Sequence, residues 1–99
     1  MKTISTKELQ DRLEAGEQLN VIDVREDDEV AVGMIEGAKH IPLGEVEERA
    51  NELDAGQEYF LVCRAGRRSE MACGILEEKG FQTVNVEGGM TDWAGETIA

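Results

Sequence analysis

Cys63 closes the apolar run Tyr59-Phe60-Leu61-Val62 and is followed at once by Arg64-Ala65-Gly66-Arg67-Arg68-Ser69. That order of residues predicts a thiol on a turn between a strand and a helix. Such a turn aims successive backbone N–H groups and the positive end of a helix dipole at one point. Three arginines add positive charge around it. A free cysteine has a pKa of roughly 8.5, and helix N-termini with basic neighbours lower it to about 3.5–7.5, so the thiolate is the expected form at neutral pH. Cys63 is the candidate nucleophile. Arg64, Ala65, Gly66, Arg67, Arg68 and Ser69 form the candidate anion-binding loop, with Gly66 letting the backbone curl. A Cys-x5-Arg phosphatase loop needs an arginine six positions after the cysteine, where its fork can hold phosphate oxygens. Position six here is Ser69, and Arg68 comes one residue early, which disfavours phosphatase chemistry.

Other reactive side chains read more plainly. Cys73 falls on the apolar face of the helix expected after the loop, as a packed thiol; the alternative is a resolving cysteine that reacts with Cys63. Asp23 and Arg25 stand at the end of a strand as a charged pair. His40 reads as a satisfied structural histidine, since a preformed thiolate needs no base. Trp93 reads as a packing residue of the core or rim.

Composition narrows the partners. With 22 acidic against 10 basic residues the net charge is −12, which repels nucleic-acid backbones and anionic membrane surfaces. Three of the ten basic residues lie between Arg64 and Arg68, a local inversion of sign that suggests an anion site. Two cysteines make no secreted-type disulfide framework, and their spacing fits no zinc motif. Met1-Lys2-Thr3-Ile4-Ser5 lacks a signal peptide's apolar stretch, no run is long enough to span a membrane, and a cytoplasmic protein is expected.

The elements that must position Cys63 follow from periodicity. Ser5-Thr6-Lys7-Glu8 has the form of a capping box, with Leu9 and Leu13 a helical turn apart and Gly16 as the stop. Residues 19–24 read as a buried strand, the acidic cluster Asp27-Asp28-Glu29 as a helix start, and residues 38–41 as a short strand before Pro42. Leu43, Val46, Ala50 and Leu53 predict a helix over 43–53. The strand ending at Cys63 comes next. Ser69 is the expected N-cap of a helix stopped by Gly80, followed by a strand over 83–86, Gly88-Gly89 and a helical turn to Trp93. The alternation predicts one α/β domain spanning 1–99: a parallel sheet with helices on both faces. Ligands bind at the carboxyl ends of such strands, so Cys63, Asp23 to Glu26 and Gly88-Gly89 should meet on one edge.

With those segments placed, the chain resembles the rhodanese family of single-domain sulfurtransferases. The resemblance rests on Val21-Ile22-Asp23-Val24-Arg25-Glu26, on Gly33 through Pro42 with its Gly37-Ala38 step, on Tyr59 to Ser69, and on Glu87-Gly88-Gly89-Met90 with Trp93. It implies a central parallel five-stranded sheet and a catalytic cysteine opening a six-residue loop, Cys63 to Arg68. Two positions depart from the family pattern: Met34 replaces a usual histidine, and His40 stands where an asparagine is usual. The loop is also unusually basic, which within the family favours a divalent anion such as thiosulfate. The implied activity is transfer of a sulfane sulfur from thiosulfate, or from a persulfide donor, through a Cys63 persulfide to a thiol or cyanide. A small thiol protein is one candidate acceptor. Asp23 and Arg25 would support the loop, and no metal or organic cofactor is expected. The competing reading is a non-catalytic rhodanese-like module that binds a partner or senses oxidants.

Overall fold

The computed structural model describes residues 1–99, from Met1 to Ala99. Five strands, β1 (Lys2–Ser5), β2 (Asn20–Asp23), β3 (Lys39–His40), β4 (Glu58–Val62) and β5 (Gln82–Glu87), pair in the order β1-β5-β4-β2-β3. Every pairing is parallel. The helices are α1 (Thr6–Glu14), α2 (Asp27–Val30), α3 (Val46–Arg49), α4 (Arg67–Glu78) and α5 (Gly89–Asp92).

A parallel sheet is buried on both faces, and alternate residues along each strand point to opposite sides. Ile22, Tyr59, Leu61 and Cys63 enter a core shared with Val46 of α3, Ala50 just after it, and Ala72, Cys73 and Leu76 of α4. Val21, Phe60, Val62, Val84 and Val86 enter the opposite core, with Leu9 of α1, Leu13 and Trp93. The i, i+3, i+4, i+7 face of α4, formed by Ser69, Ala72, Cys73 and Leu76, is buried. Cys63 therefore lies under α4, at the carboxyl end of β4. Trp93 packs in the opposite core, as a packing residue should.

Several boundaries differ from those read in the sequence. Four strands are legible as apolar runs, whereas β1 is an edge strand in which only Ile4 is buried. Residues 43–53 form no single helix: α3 is one turn flanked by 3-10 turns over Leu43–Glu45 and Ala50–Glu52. Ser5 caps α1 as expected, its hydroxyl accepting from the Glu8 N–H at 3.0 Å. Ser69 does not cap α4. Gly66 holds that position at φ +105°, a left-handed conformation that favours glycine, and Ser69 is the third helical residue. No helix of the structure is long and apolar enough to cross a membrane.

Candidate functional site

At the end of β4 the chain turns through Cys63-Arg64-Ala65-Gly66 into α4. The turn closes on the sulfur. The Gly66 N–H donates to Cys63 Sγ at 3.0 Å, and the Ser69 hydroxyl lies 3.3 Å from it. Cys63 is only 1% exposed, and burial alone pushes a thiol's pKa up. Here the Ser69 hydroxyl and the backbone N–H groups of Ser69, Gly66 and Ala65 outweigh that burial and leave the pKa below its ordinary value. The ionised sulfur is thus stabilised first by hydrogen bonds. This shifts the emphasis from the guanidinium groups to the loop's own donors.

Arg68 in particular is not free to meet an anion. Its Nη1 and Nη2 donate to the two carboxylate oxygens of Glu29 at 2.6 and 2.8 Å, a bidentate ion pair. Attraction to Cys63 reaches Arg68 only as a smaller contribution than this pair. The Arg68 fork holds Glu29 below the usual carboxylate range, at about 2. Arg64 and Arg67 are exposed and outside every ion pair of the structure. Ala65 is exposed, while Gly66 and Ser69 are buried.

Asp23 and Arg25 form a buried pair beside the loop. Arg25 Nε and Nη2 donate to the Asp23 carboxylate at 2.9–3.1 Å, and Nη2 also donates to the Gly33 carbonyl at 2.8 Å. Their charges cancel locally, so Arg25 adds little positive potential at the sulfur. His40 Nε2 lies 2.7 Å from the Arg25 carbonyl, which accepts its proton, and so ties β3 to the turn after β2. The histidine has a structural partner in place of the usual asparagine.

The third segment meets the loop through its backbone. The Met90 N–H donates to the Cys63 carbonyl and the Thr91 N–H to the Arg64 carbonyl, both at 2.8 Å. Gly89 makes this approach possible: at φ +54°, an added Cβ would lie 2.3 Å from the Cys63 carbonyl oxygen. The carboxyl-end segments after β2, β4 and β5 therefore converge, as the strand order requires. An open groove of about 330 Å³ beside them is lined by Arg25, Glu29, Val32, Arg64, Met90 and Thr91.

Cys73 is fully buried on the inner face of α4, and burial pushes its thiol up to about 11. Neither cysteine is in a disulfide. Two residues with a place in the site escaped the sequence reading. Glu29 was submerged in an acidic helix start. Asn85, which accepts from Ser69 at 2.5 Å, left a trace as the lone amide between Val84 and Val86 in a buried strand.

The chain matches the Rhodanese-like domain model over residues 5–96. It is 54% identical over 97 residues to the "Putative sulfurtransferase YtwF" of Bacillus subtilis, covering 98% of this chain and 94% of that one. It is 47% identical over 95 residues to the "Putative sulfur carrier protein YrkF" of the same organism, covering 95% of this chain and 51% of that longer protein. Among solved structures, a rhodanese-like domain protein from Staphylococcus aureus superposes with a TM-score of 0.93 at 39% identity, covering 100% of this chain and 99% of that one. A cysteine held in a ring of donors at the end of β4, and a sequence match over almost the entire length, lead to one conclusion: the chain belongs to the rhodanese-like domain family.

Proposed function

We propose that this protein is a sulfurtransferase that carries a sulfane sulfur on Cys63. The Cys63 thiolate attacks the outer sulfur of thiosulfate, the bond between the two thiosulfate sulfurs breaks, and sulfite leaves with the electron pair. A thiolate or cyanide then attacks the outer sulfur of the Cys63 persulfide. The product is a new persulfide or thiocyanate, and the Cys63 thiolate returns. The observation that supports this most is the pair of donors, Gly66 N–H and Ser69 hydroxyl, aimed at one sulfur. Fixed donors stabilise negative charge in the thiolate, the persulfide and the transition state between them without reorganising.

Burial shapes the exchange. With Cys63 only 1% exposed, a sulfur at the end of the donor molecule reaches it most easily, and thiosulfate and persulfides present one. Once attached, the outer sulfur stands about 2 Å further toward the mouth, where an acceptor reaches it. Arg64 and Arg67 supply the exposed positive charge for an anionic donor, and the groove between Val32 and Met90 offers an acceptor thiol its approach. No metal or organic cofactor takes part in these steps. A reactive thiol outside any disulfide suits the reducing cytoplasm, where we place the protein. The rival reading as a silent partner-binding module leaves the lowered pKa of Cys63 without a task, and an oxidant sensor would use that thiolate but take up no sulfur from thiosulfate.

The test compares kcat/KM for thiosulfate and for small-molecule persulfides with cyanide and thiols as acceptors. Sulfur transfer with at least one donor, lost in Cys63→Ser, is expected; equal rates in the two proteins would overturn the proposal.

A further inference from the structure

Ser69 has one hydroxyl proton and three acceptors around it. Its Oγ lies 3.3 Å from Cys63 Sγ, 3.1 Å from the Gly66 carbonyl and 2.5 Å from Asn85 Oδ1. When Cys63 is a thiol, its S–H donates to Ser69 Oγ and the Ser69 proton goes on to Asn85, an unbroken chain of donors. When Cys63 is a thiolate the direction must reverse, because the sulfur then only accepts. The Ser69 proton turns to the sulfur, and two oxygen lone pairs would face each other across 2.5 Å. An asparagine relieves this by turning its amide, since χ2 is broad and two-fold and the nitrogen donates where the oxygen accepted. The backbone of Asn85 stays fixed between Thr3 and Leu61 in the sheet.

We propose that Asn85 is a positioning residue for Cys63: its amide turns with the ionisation of the thiol and so directs the Ser69 hydroxyl toward or away from the sulfur. The proton lost by Cys63 goes to water, Ser69 keeps its own, and no bond other than S–H breaks. An aspartate cannot follow this turn, because its carboxylate only accepts and holds the Ser69 proton away from the sulfur. The charged groups around the thiol are Arg64 and Arg67 of the loop, Arg68 with its Glu29 partner on α2, and the Asp23–Arg25 pair at the carboxyl end of β2. None of them hydrogen-bonds to Ser69 or Asn85.

This inference rests on Cys63 as the ionising nucleophile, and its test needs no sulfur donor, so failed sulfur transfer would leave it standing. The pH midpoint of Cys63 alkylation is measured by mass spectrometry in four proteins: the parent, Asn85→Asp, Ser69→Ala and the double variant. Asn85→Asp should raise the midpoint by about one pH unit or more in the parent, the scale of one hydrogen bond to a charged group. The rise should shrink by at least half when Ser69 is already alanine. Equal rises in both backgrounds would mean a charge acting through space and would overturn the proposal, as would no rise. Should the variants not fold, the wild-type protein suffices: the Asn85 side-chain NH2 resonances must titrate with the Cys63 midpoint and lose that titration in Cys63→Ser. If they stay still while the Gly66 N–H titrates, the proposal is wrong.

Discussion

Glu29 of α2 grips Arg68 of α4 across 39 positions of sequence, each carboxylate oxygen meeting one guanidinium nitrogen at 2.6 and 2.8 Å. The pair fastens the first turn of α4, and with it the loop, to the segment after β2. Glu29 is itself fixed, since its Oε1 accepts from the Glu26 N–H at 2.9 Å. A basic residue five positions after Cys63 thus serves as a tether, with its charge already matched.

The tether has a pH signature. Glu29 has a folded pKa of about 2 against an ordinary 4.5, so the unfolded chain binds more protons between those values. Its contribution to stability is complete above about pH 4.5 and disappears as the pH falls toward 2. A partly exposed bidentate pair is worth on the order of 1 kcal/mol. Urea unfolding at pH 3, 4, 5 and 7 should show Glu29→Gln less stable than the parent by about that amount at pH 7, with the gap narrowed but still open at pH 3. A constant gap would show that the lost stability is not that of the ion pair.

Arginine substitutions should separate by role. Arg64→Ala and Arg67→Ala each remove an exposed, unpaired charge and are expected to raise KM for thiosulfate by about 2–5-fold, with kcat little changed, as ~0.5–1 kcal/mol of screened attraction implies. Arg68→Ala should lower stability and kcat more than it changes KM. Steady-state kinetics at low and high salt check this, because only the KM effects of Arg64 and Arg67 should fade with salt. A KM effect confined to Arg68 would reverse the assignment.

Glycine substitutions probe how closely two backbones approach. At Gly89 a Cβ would meet the Cys63 carbonyl oxygen and the Arg64 carbonyl, at 2.3 and 2.7 Å, and neither is a flexible side-chain end. Gly89→Ala should therefore cost roughly 3 kcal/mol or more and displace the loop, lowering kcat. At Gly66 the nearest atom is 3.5 Å away, and the cost of Gly66→Ala is the positive φ, roughly 1–3 kcal/mol. Thermal unfolding would rank the two; a milder effect at Gly89 than at Gly66 would contradict the geometry.

Cys73 is a packed thiol with its pKa at about 11. Under native conditions at pH 7 it should resist alkylation, and Cys73→Ala should keep the sulfur-transfer rate within about two-fold while losing ~1 kcal/mol of stability. Peptide mapping after donor treatment should find a persulfide on Cys63 and no Cys63–Cys73 disulfide. Finding that disulfide would make Cys73 a resolving cysteine.

Much of this architecture is legible in the chain because a parallel sheet buries both faces, so β2, β4 and β5 appear as apolar runs that end in charge or glycine. β1 hides because it is an edge strand with one buried side chain, Ile4, among Lys2, Thr3 and Ser5. The 43–53 segment has helical periodicity, yet it resolves into short turns after Pro42, with Gly44 in the first of them. Within the site, Cys63 and Gly66 are readable from local order, since a strand-to-helix turn is a local event. The partners of Arg68 and Ser69 are not. Glu29 and Asn85 lie 39 and 16 positions away, and only the packing of α2 and β5 against α4 brings them there. Ser69 is the instructive residue: its sequence suggests a cap, while Gly66 caps the helix and leaves the hydroxyl for the sulfur.

Mass spectrometry of the intact protein after a brief exposure to thiosulfate, and again after an acceptor thiol is added, tests the role of Cys63 most directly. The mass should rise by one sulfur atom on Cys63 and return to its starting value with the acceptor. A protein that transfers sulfur with Cys63 unmodified throughout, or whose Cys63→Ser variant takes up sulfur equally well, would contradict it.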